Sequence, residues 1–445
     1  MGQPGSHGPA GVRARVGWCL YDWANSAFAT IVLAGILPVY FVRIVPETGA
    51  QLPFVDHTLK ASVLWSYSVS LSMFLVAVAA PYVGALGDRS GRHPELWAGF
   101  CLLGSLATGL LALAGYGDYF LAAGLFILAN WAFAAGNIFT NAYLPALSGD
   151  EDIDRLSAYG FGLGYIGGGI ALLLAVILIY YPELVGLAGR GAGTRAGFVL
   201  AALWWAGFGM LSFYLMRGAL SMPPSKAVPH GLVRYARLFA DLKRYPDLLL
   251  FLVAFLIYND GVQTIITVSA VFARDVLGLS TGTVLGCFLM VQFVAMPGSL
   301  LFAFIAERLG TKRAIVASLI VFMGITVYAF FIDSALEFWI MGFAVALVLG
   351  GSQTASRSLF GSMVPRGKYA EFFGFYTLSH KFSSIMGPFL FALIADATGS
   401  ERASILVLNI LFLIGIGLLF KVDVFQGRSR AREDVSSAEG QVPSA

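Results

Sequence analysis

Charge is what this sequence has least of. Asp, Glu, Lys and Arg make up 12% of its 445 residues, about half of what a soluble domain carries. Hydrophobic residues reach 58% and the mean hydropathy is +0.79, which leaves too little polar surface to cover a particle in water. A water-soluble fold is therefore excluded, and hydrocarbon is the expected solvent. Cysteine is scarcer still. Cys19, Cys101 and Cys287 lie far apart in apolar stretches, without metal-ligand spacing, and are expected to pack as small apolar residues. Neither disulfides nor a metal site is expected. No nucleophile–base pair, phosphate-binding glycine loop or His/Cys cluster is visible either, so enzyme chemistry and a cofactor are not expected. A net charge of +3 is too small for a nucleic-acid surface.

Apolar runs fill the chain instead. At about 20 residues per crossing, spans fall at 17–42, 61–86, 95–115, 120–144, 157–181 and 196–216, then at 247–273, 282–306, 314–332, 336–359, 372–396 and 403–420. The polar N-terminus carries Arg13 and Arg15, and no small-residue cleavage site follows, so the first run reads as a retained span. The expected organisation is a six-helix bundle over 1–216, a linker over 217–246, a second six-helix bundle over 247–420, and a polar, disordered tail over 421–445. The linker, with Pro223, Pro224 and Pro229 among basic residues, either carries a short basic surface helix around 230–243 resting on anionic headgroups or is a solvated connector.

Lysine and arginine set the orientation. With the N-terminus inside, 21 of them fall in cytoplasmic segments and six outside, leaving Lys381 within a span. Both termini are thus expected in the cytoplasm, in a cell membrane of the bacterial inner-membrane kind.

The chain also repeats itself. After span two comes G-A-L-G-D-R-S-G-R-H at 84–93, and after span eight A-F-I-A-E-R-L-G-T-K at 303–312. The offset of 219 aligns Asp88 with Glu307, Arg89 with Arg308 and Gly91 with Gly310. Two parallel six-helix repeats follow. The first segment resembles the hallmark of the major facilitator superfamily at this place: a glycine (Gly84), an Asp–Arg pair (Asp88, Arg89) and a second glycine (Gly91) before a basic residue (Arg92). The resemblance implies the all-α, twelve-helix fold of that superfamily. A carboxylate at such a corner can face a helix N-terminus and a neighbouring arginine. Gly84, Asp88, Arg89, Gly91, Arg92, Glu307 and Arg308 are therefore the expected gating motif, holding the inner side closed and releasing it during alternating access.

Polar side chains inside hydrocarbon are costly and mark pathways or partners. They collect in span one (Asp22, Asn25, Ser26), span four (Asn130, Asn137, Asn141), span seven (Asn259, Asp260, Gln263, Thr264) and span ten (Gln353, Arg357). The superfamily resemblance implies that these four helices line the central cavity. Span eleven adds His380 and Lys381. By depth Asp260 and Lys381 could pair, either for proton coupling, for substrate contact or as a structural ion pair. Asp22 and Arg357, both near the inner face, could pair or reach water. The expected solute or proton pathway is Asp22, Asn25, Asn137, Asn259, Asp260, Gln263, Gln353, Arg357 and Lys381. The glycine series 160, 162, 164 and 167–169 in span five is expected to allow close helix approach, and Gly387–Pro388 in span eleven to kink it.

Four longer stretches, Y-D-W-A-N-S-A-F at 21–28, Y-N-D-G-V-Q-T-I-I at 258–266, G-G-S-Q-T-A-S-R-S-L-F at 350–360 and A-E-F-F-G-F-Y at 370–376, resemble the vacuole-effluxer-like, autophagy-related family. Where that family's span eleven has a glycine before the basic residue, this chain has His380. The resemblance implies a secondary active or facilitative transporter of a small polar metabolite, amino acids first, working as an exporter. The expected partners are that solute, protons in a coupled cycle and membrane lipids, with a monomer as the working unit. Two alternatives are a lipid or lipophilic-solute exporter, whose cavity would be apolar rather than amide-rich, and a non-transporting sensor, which would need a larger signalling tail.

Overall fold

The computed structural model describes residues 11–51, 58–59, 61–148, 152–217, 240–366, 368–383, 391, 394 and 401–439. The helices are α1 (Val12–Ile44), α2 (Ala61–Ser90), α3 (His93–Leu110), α4 (Tyr119–Ala142), α5 (Ile153–Tyr180) and α6 (Arg190–Met216). Then come α7 (Pro246–Asp275), α8 (Thr281–Leu309), α9 (Thr311–Phe331), α10 (Ala335–Ser362), α11 (Tyr369–Phe382), α12 (Glu401–Lys421) and α13 (Val424–Glu439). Among the described residues, 11 helices are long and apolar enough to cross a membrane. The remaining expected span, 372–396, is described as helix through Phe382; Gly387–Pro388 lies outside the described residues, as does the expected surface helix around 230–243 apart from its last residues. A two-strand antiparallel pairing, Ala50–Gln51 with Thr58–Leu59, sits in the loop after α1.

Helix ends follow local chemistry. Ser334 and Glu337 form a reciprocal capping box that starts α10, and Ser280 accepts from the Thr283 amide at the start of α8. The two copies of the repeat end their helices alike. Gly91 after α2 has φ +63° and Gly310 after α8 has φ +89°, a left-handed backbone that costs glycine nothing. α1 is not a uniform α-helix: Phe28–Gly35 is π-helical, a form that concentrates at functional sites.

Large apolar side chains such as Leu203, Ile320 and Leu413 remain exposed on the outside of the bundle, as hydrocarbon solvation allows. Small residues let the helices close on one another. A Cβ at Gly167 would lie 2.8 Å from the Trp23 backbone oxygen of α1, and one at Gly162 would lie 3.1 Å from Ser299 Oγ of α8. The glycines of α5 thus serve two faces, one toward α1 in the same half and one toward α8 in the other. The halves meet where α5 packs on α8 and α10, and where α11 packs on α2 and α4.

α1 and α7 begin, and α12 ends, at one face of the bundle, called the terminal face below. The chain beyond Lys421, expected to be disordered, is instead helical over Val424–Glu439. It docks on that face: Arg430 pairs with Asp247 at 3.1 Å, Arg428 donates to Ser362 Oγ at 3.2 Å, and the Asp423 amide donates to Asp247 Oδ1 at 3.0 Å. Low hydropathy hid this, because the docking is polar.

Candidate functional site

Arg357 is the centre of the site. It lies on the inward side of α10, five residues before the helix ends at Ser362, and is 3% exposed. A buried guanidinium is tolerated only when its donors are satisfied and its charge is paired. Arg357 Nη1 donates to Asp22 Oδ2 at 2.9 Å and to Asn141 Oδ1 at 3.3 Å. Nε donates to Ser157 Oγ at 3.0 Å, and Nη2 to the Ser157 carbonyl at 2.8 Å. Its Cζ sits 4.8 Å from the ring centroid of Trp18 and 3.9 Å from that of Phe161, within cation–π range. Trp18 is itself held by its indole N–H, which donates to the Thr140 carbonyl at 2.6 Å. Gly160 leaves the space: a Cβ there would lie 2.7 Å from Asp22 Oδ2 and 2.8 Å from Arg357 Nη2.

Every one of these partners belongs to the first six helices, while Arg357 belongs to the second six. The contact is a plug from one half in a socket of the other. Asp22 lies 10 residues along α1 from Val12, about 15 Å from the terminal face at 1.5 Å per residue.

Further cross-half contacts stack above and below this layer. Toward the membrane centre, Tyr165 of α5 donates to Gln353 of α10 at 2.6 Å. Tyr165 is 12 residues along its helix, about 18 Å in, against a hydrocarbon core about 30 Å thick. Toward the terminal face, Asp154 of α5 accepts from Thr311 of α9 at 2.7 Å and from Ser358 of α10. Ser157 also donates to the Thr354 carbonyl, and Ser299 to that of Ala158, at 3.0 and 3.2 Å.

At the face itself the two copies of the repeat meet the opposite halves in different ways. Asp88 accepts from the backbone amides of Ala370 at 3.3 Å and Glu371 at 2.8 Å, the first turn of α11, where a carboxylate is favoured by the helix dipole. His93 Nε2 lies 3.1 Å from Asp88 Oδ1, with both side chains almost fully buried. Gly84 permits the approach, since a Cβ there would fall 2.1 Å from the Ala370 carbonyl oxygen. Gly84→Ala is accordingly expected to push α2 from α11 at a cost of about 1–3 kcal/mol, read as a lower melting temperature of the purified protein; an unchanged melting curve would contradict it. In the other copy Glu307 takes both oxygens to Arg155, at 3.0 and 3.1 Å, an ion pair whose arginine is half exposed. Arg92 is exposed at the N-cap of α3, and Arg308 lies over the Phe304 ring of its own helix. Arg89 is half-buried.

The other expected pathway residues fall into separate groups. Asn25 donates to Asn137 at 2.6 Å, joining α1 to α4 about one turn beyond Asp22. Asn259 pairs with His380 Nδ1 at 3.0 Å and with Ser383, joining α7 to α11. Asp260 is buried, and Gln263 is half-buried one turn beyond Asn259. The backbone of Lys381 is helical in α11, but its side chain lies outside the described residues, and with it the expected pairing to Asp260. Asn130 bonds Ser72 at 2.7 Å and ties α4 to α2 within one half. Trp18, Asp154, Ser157, Phe161, Tyr165 and His93 were not expected. Asp154 and Arg155 had a signal: α5 and α11 begin at 153 and 369, close to the repeat offset, so the start of α5 is the counterpart of the α11 turn that Asp88 holds.

Comparison with known proteins agrees with this architecture. The model of the family described as "Vacuole effluxer Atg22 like" matches residues 10–432. The uncharacterized MFS-type transporter YxiO of Bacillus subtilis is 32% identical over 96% of this chain and 97% of its own length. Autophagy-related protein 22-1 of Aspergillus niger is 23% identical over 95% of this chain and 90% of its own. Among solved structures, the human organic anion transporter MFSD10 (TETRAN) superposes with a TM-score of 0.71 at 15% identity, covering 92% of this chain and 99% of that one.

Proposed function

From the premise that the chain belongs to the Atg22-like vacuole-effluxer family of major facilitator transporters, we propose that it moves a small polar metabolite across a cell membrane by alternating access. Amino acids are the first candidates and export the expected direction, with the terminal face in the cytoplasm, the solute path along α1, α4, α7 and α10, and a monomer as the unit. The observation that carries the reading is the Arg357 plug seated in the socket of Asp22, Asn141 and Ser157. A buried ion pair between two rigid halves is a poor source of net stability, because both charges give up water. It suits a contact that must break and re-form. The lysine and arginine distribution supports the orientation, and an amide-lined path favours a polar solute over a lipid.

The test is a distance. With the buried Cys19, Cys101 and Cys287 replaced, spin labels at Glu95→Cys of α3 and Arg313→Cys of α9, exposed near the terminal ends of the two halves, are expected to sample a second, longer separation. One separation under every condition would refute alternating access at this face. Uptake of labelled amino acids into inside-out and right-side-out vesicles separates export from import. Where the cycle is proton-linked, Asp260 on α7 is the expected carboxylate. Asp260→Asn is then expected to make amino-acid flux indifferent to an imposed pH gradient, and unaltered pH dependence would exclude that role.

A further inference from the structure

Arg357 shows more than a gate contact: it shows a bound ligand that happens to be tethered. A planar cation is held by one carboxylate, one amide oxygen, one hydroxyl and one backbone carbonyl, against two aromatic rings, in a pocket that Gly160 keeps open. Carboxylate plus aromatic faces is the chemistry by which proteins recognise ammonium and guanidinium groups. Because every acceptor and both rings lie on α1, α4 and α5, the socket stays whole when α10 leaves with the other half. Asp22 then remains in a recess built for a cation, with its counter-charge withdrawn. Among the described residues Arg357 from α10 is the ion-pair partner of Asp22, while α4 and α5 present Asn141 and Ser157 to the same guanidinium.

We propose that this socket is an organic-cation site, filled by Arg357 while the terminal face is closed and by a cationic nitrogen of the transported solute once that face opens. Arg357 is then a built-in competitor, and solute binding and gate closure exclude one another in the socket. The inference rests on the alternating-access reading, but its chemistry is tested apart from it.

The experiment is chemical rescue of the full-length protein in lipid nanodiscs. Arg357→Ala is expected to lower the melting temperature, and millimolar ethylguanidinium or ethylammonium to recover at least half of the loss. Neutral ethylurea, of the same size as ethylguanidinium, is expected to recover none, and neither cation is expected to act on the Asp22→Asn/Arg357→Ala double variant. No recovery, or equal recovery by ethylurea, overturns the proposal. Should Arg357→Ala not fold, the otherwise unsubstituted protein decides: ethylguanidinium, but not ethylurea, is expected to increase the longer separation between labels at 95 and 313. Labels that sample both separations but ignore the cation sink the cation site and leave alternating access standing. Labels fixed at one separation, with rescue intact, sink alternating access at this face and the solute's turn in the socket with it, and leave only the cation chemistry of the socket standing.

Discussion

Removing the charge of Arg357 alone is expected to throw the terminal face open, whereas removing the charges of Arg357 and Asp22 together is expected to restore most of the closed population. Arg357→Gln leaves the Asp22 carboxylate, 13% exposed, without the cation that offsets its desolvation. Breaking a buried pair in this way costs about 3–5 kcal/mol, a factor of ~150 or more in the closed-to-open ratio. Asp22→Asn strands the guanidinium, which still has Asn141 and Ser157 as acceptors, and should cost less. In Asp22→Asn/Arg357→Gln both groups are neutral amides, the asparagine matching the aspartate in shape and the glutamine ending short of the guanidinium's two terminal nitrogens, and neither leaves a buried charge behind. The label separation between positions 95 and 313 reads all four proteins, and the coupling between the substitutions is the difference from additivity. Equal opening in the single and double variants would mean that the pair does not hold the gate.

The architecture was legible from the sequence because its cause is compositional. Apolar runs of a length that matches hydrocarbon thickness can hardly do anything but span it. The repeat was legible because a helix that ends in a tight turn needs a residue free to adopt positive φ, and Gly91 and Gly310 supply it at the same place in each half. Asp22 and Arg357 stood out because charge in an apolar run demands a reason. The socket around them did not. Trp18, Ser157 and Phe161 are ordinary residues of an apolar helix, and their role arises from which faces of α1 and α5 meet α10, which no spacing along one helix reveals. The tail misled for the opposite reason. Arg428 and Arg430 look like solvated charge until Ser362 and Asp247, far away in sequence, are brought beneath them. The π-helical turn over Phe28–Gly35 likewise has no mark in an unbroken apolar run.

The two copies of the repeated corner are expected to differ sharply in what they contribute. Asp88→Asn keeps the shape but loses a charge buried against the first turn of α11. It exchanges two charge-assisted bonds, from the Ala370 and Glu371 amides, for at most neutral ones through the single amide oxygen. It also turns an NH2 group on an amide in either orientation, that of Glu371 in one and that of Ala370, with His93, in the other. The expected loss is about 2–3 kcal/mol of closed-gate stability, or a factor of roughly 30 to 150 in the closed-to-open ratio. Glu307→Gln removes an ion pair whose arginine is already half in solvent, where water screens the attraction and both long side chains regain freedom, so little measurable change is expected. The difference follows from what each carboxylate faces: backbone N–H groups fixed by a helix on one side, a mobile guanidinium on the other. Raising the salt concentration separates the two contributions again, because screening reaches the exposed Arg155–Glu307 pair and not the buried Asp88. The closed population of the unsubstituted protein should therefore hold at high salt. A gate that opens with salt as readily as with Asp88→Asn would place the main restraint at Glu307 and reverse the assignment.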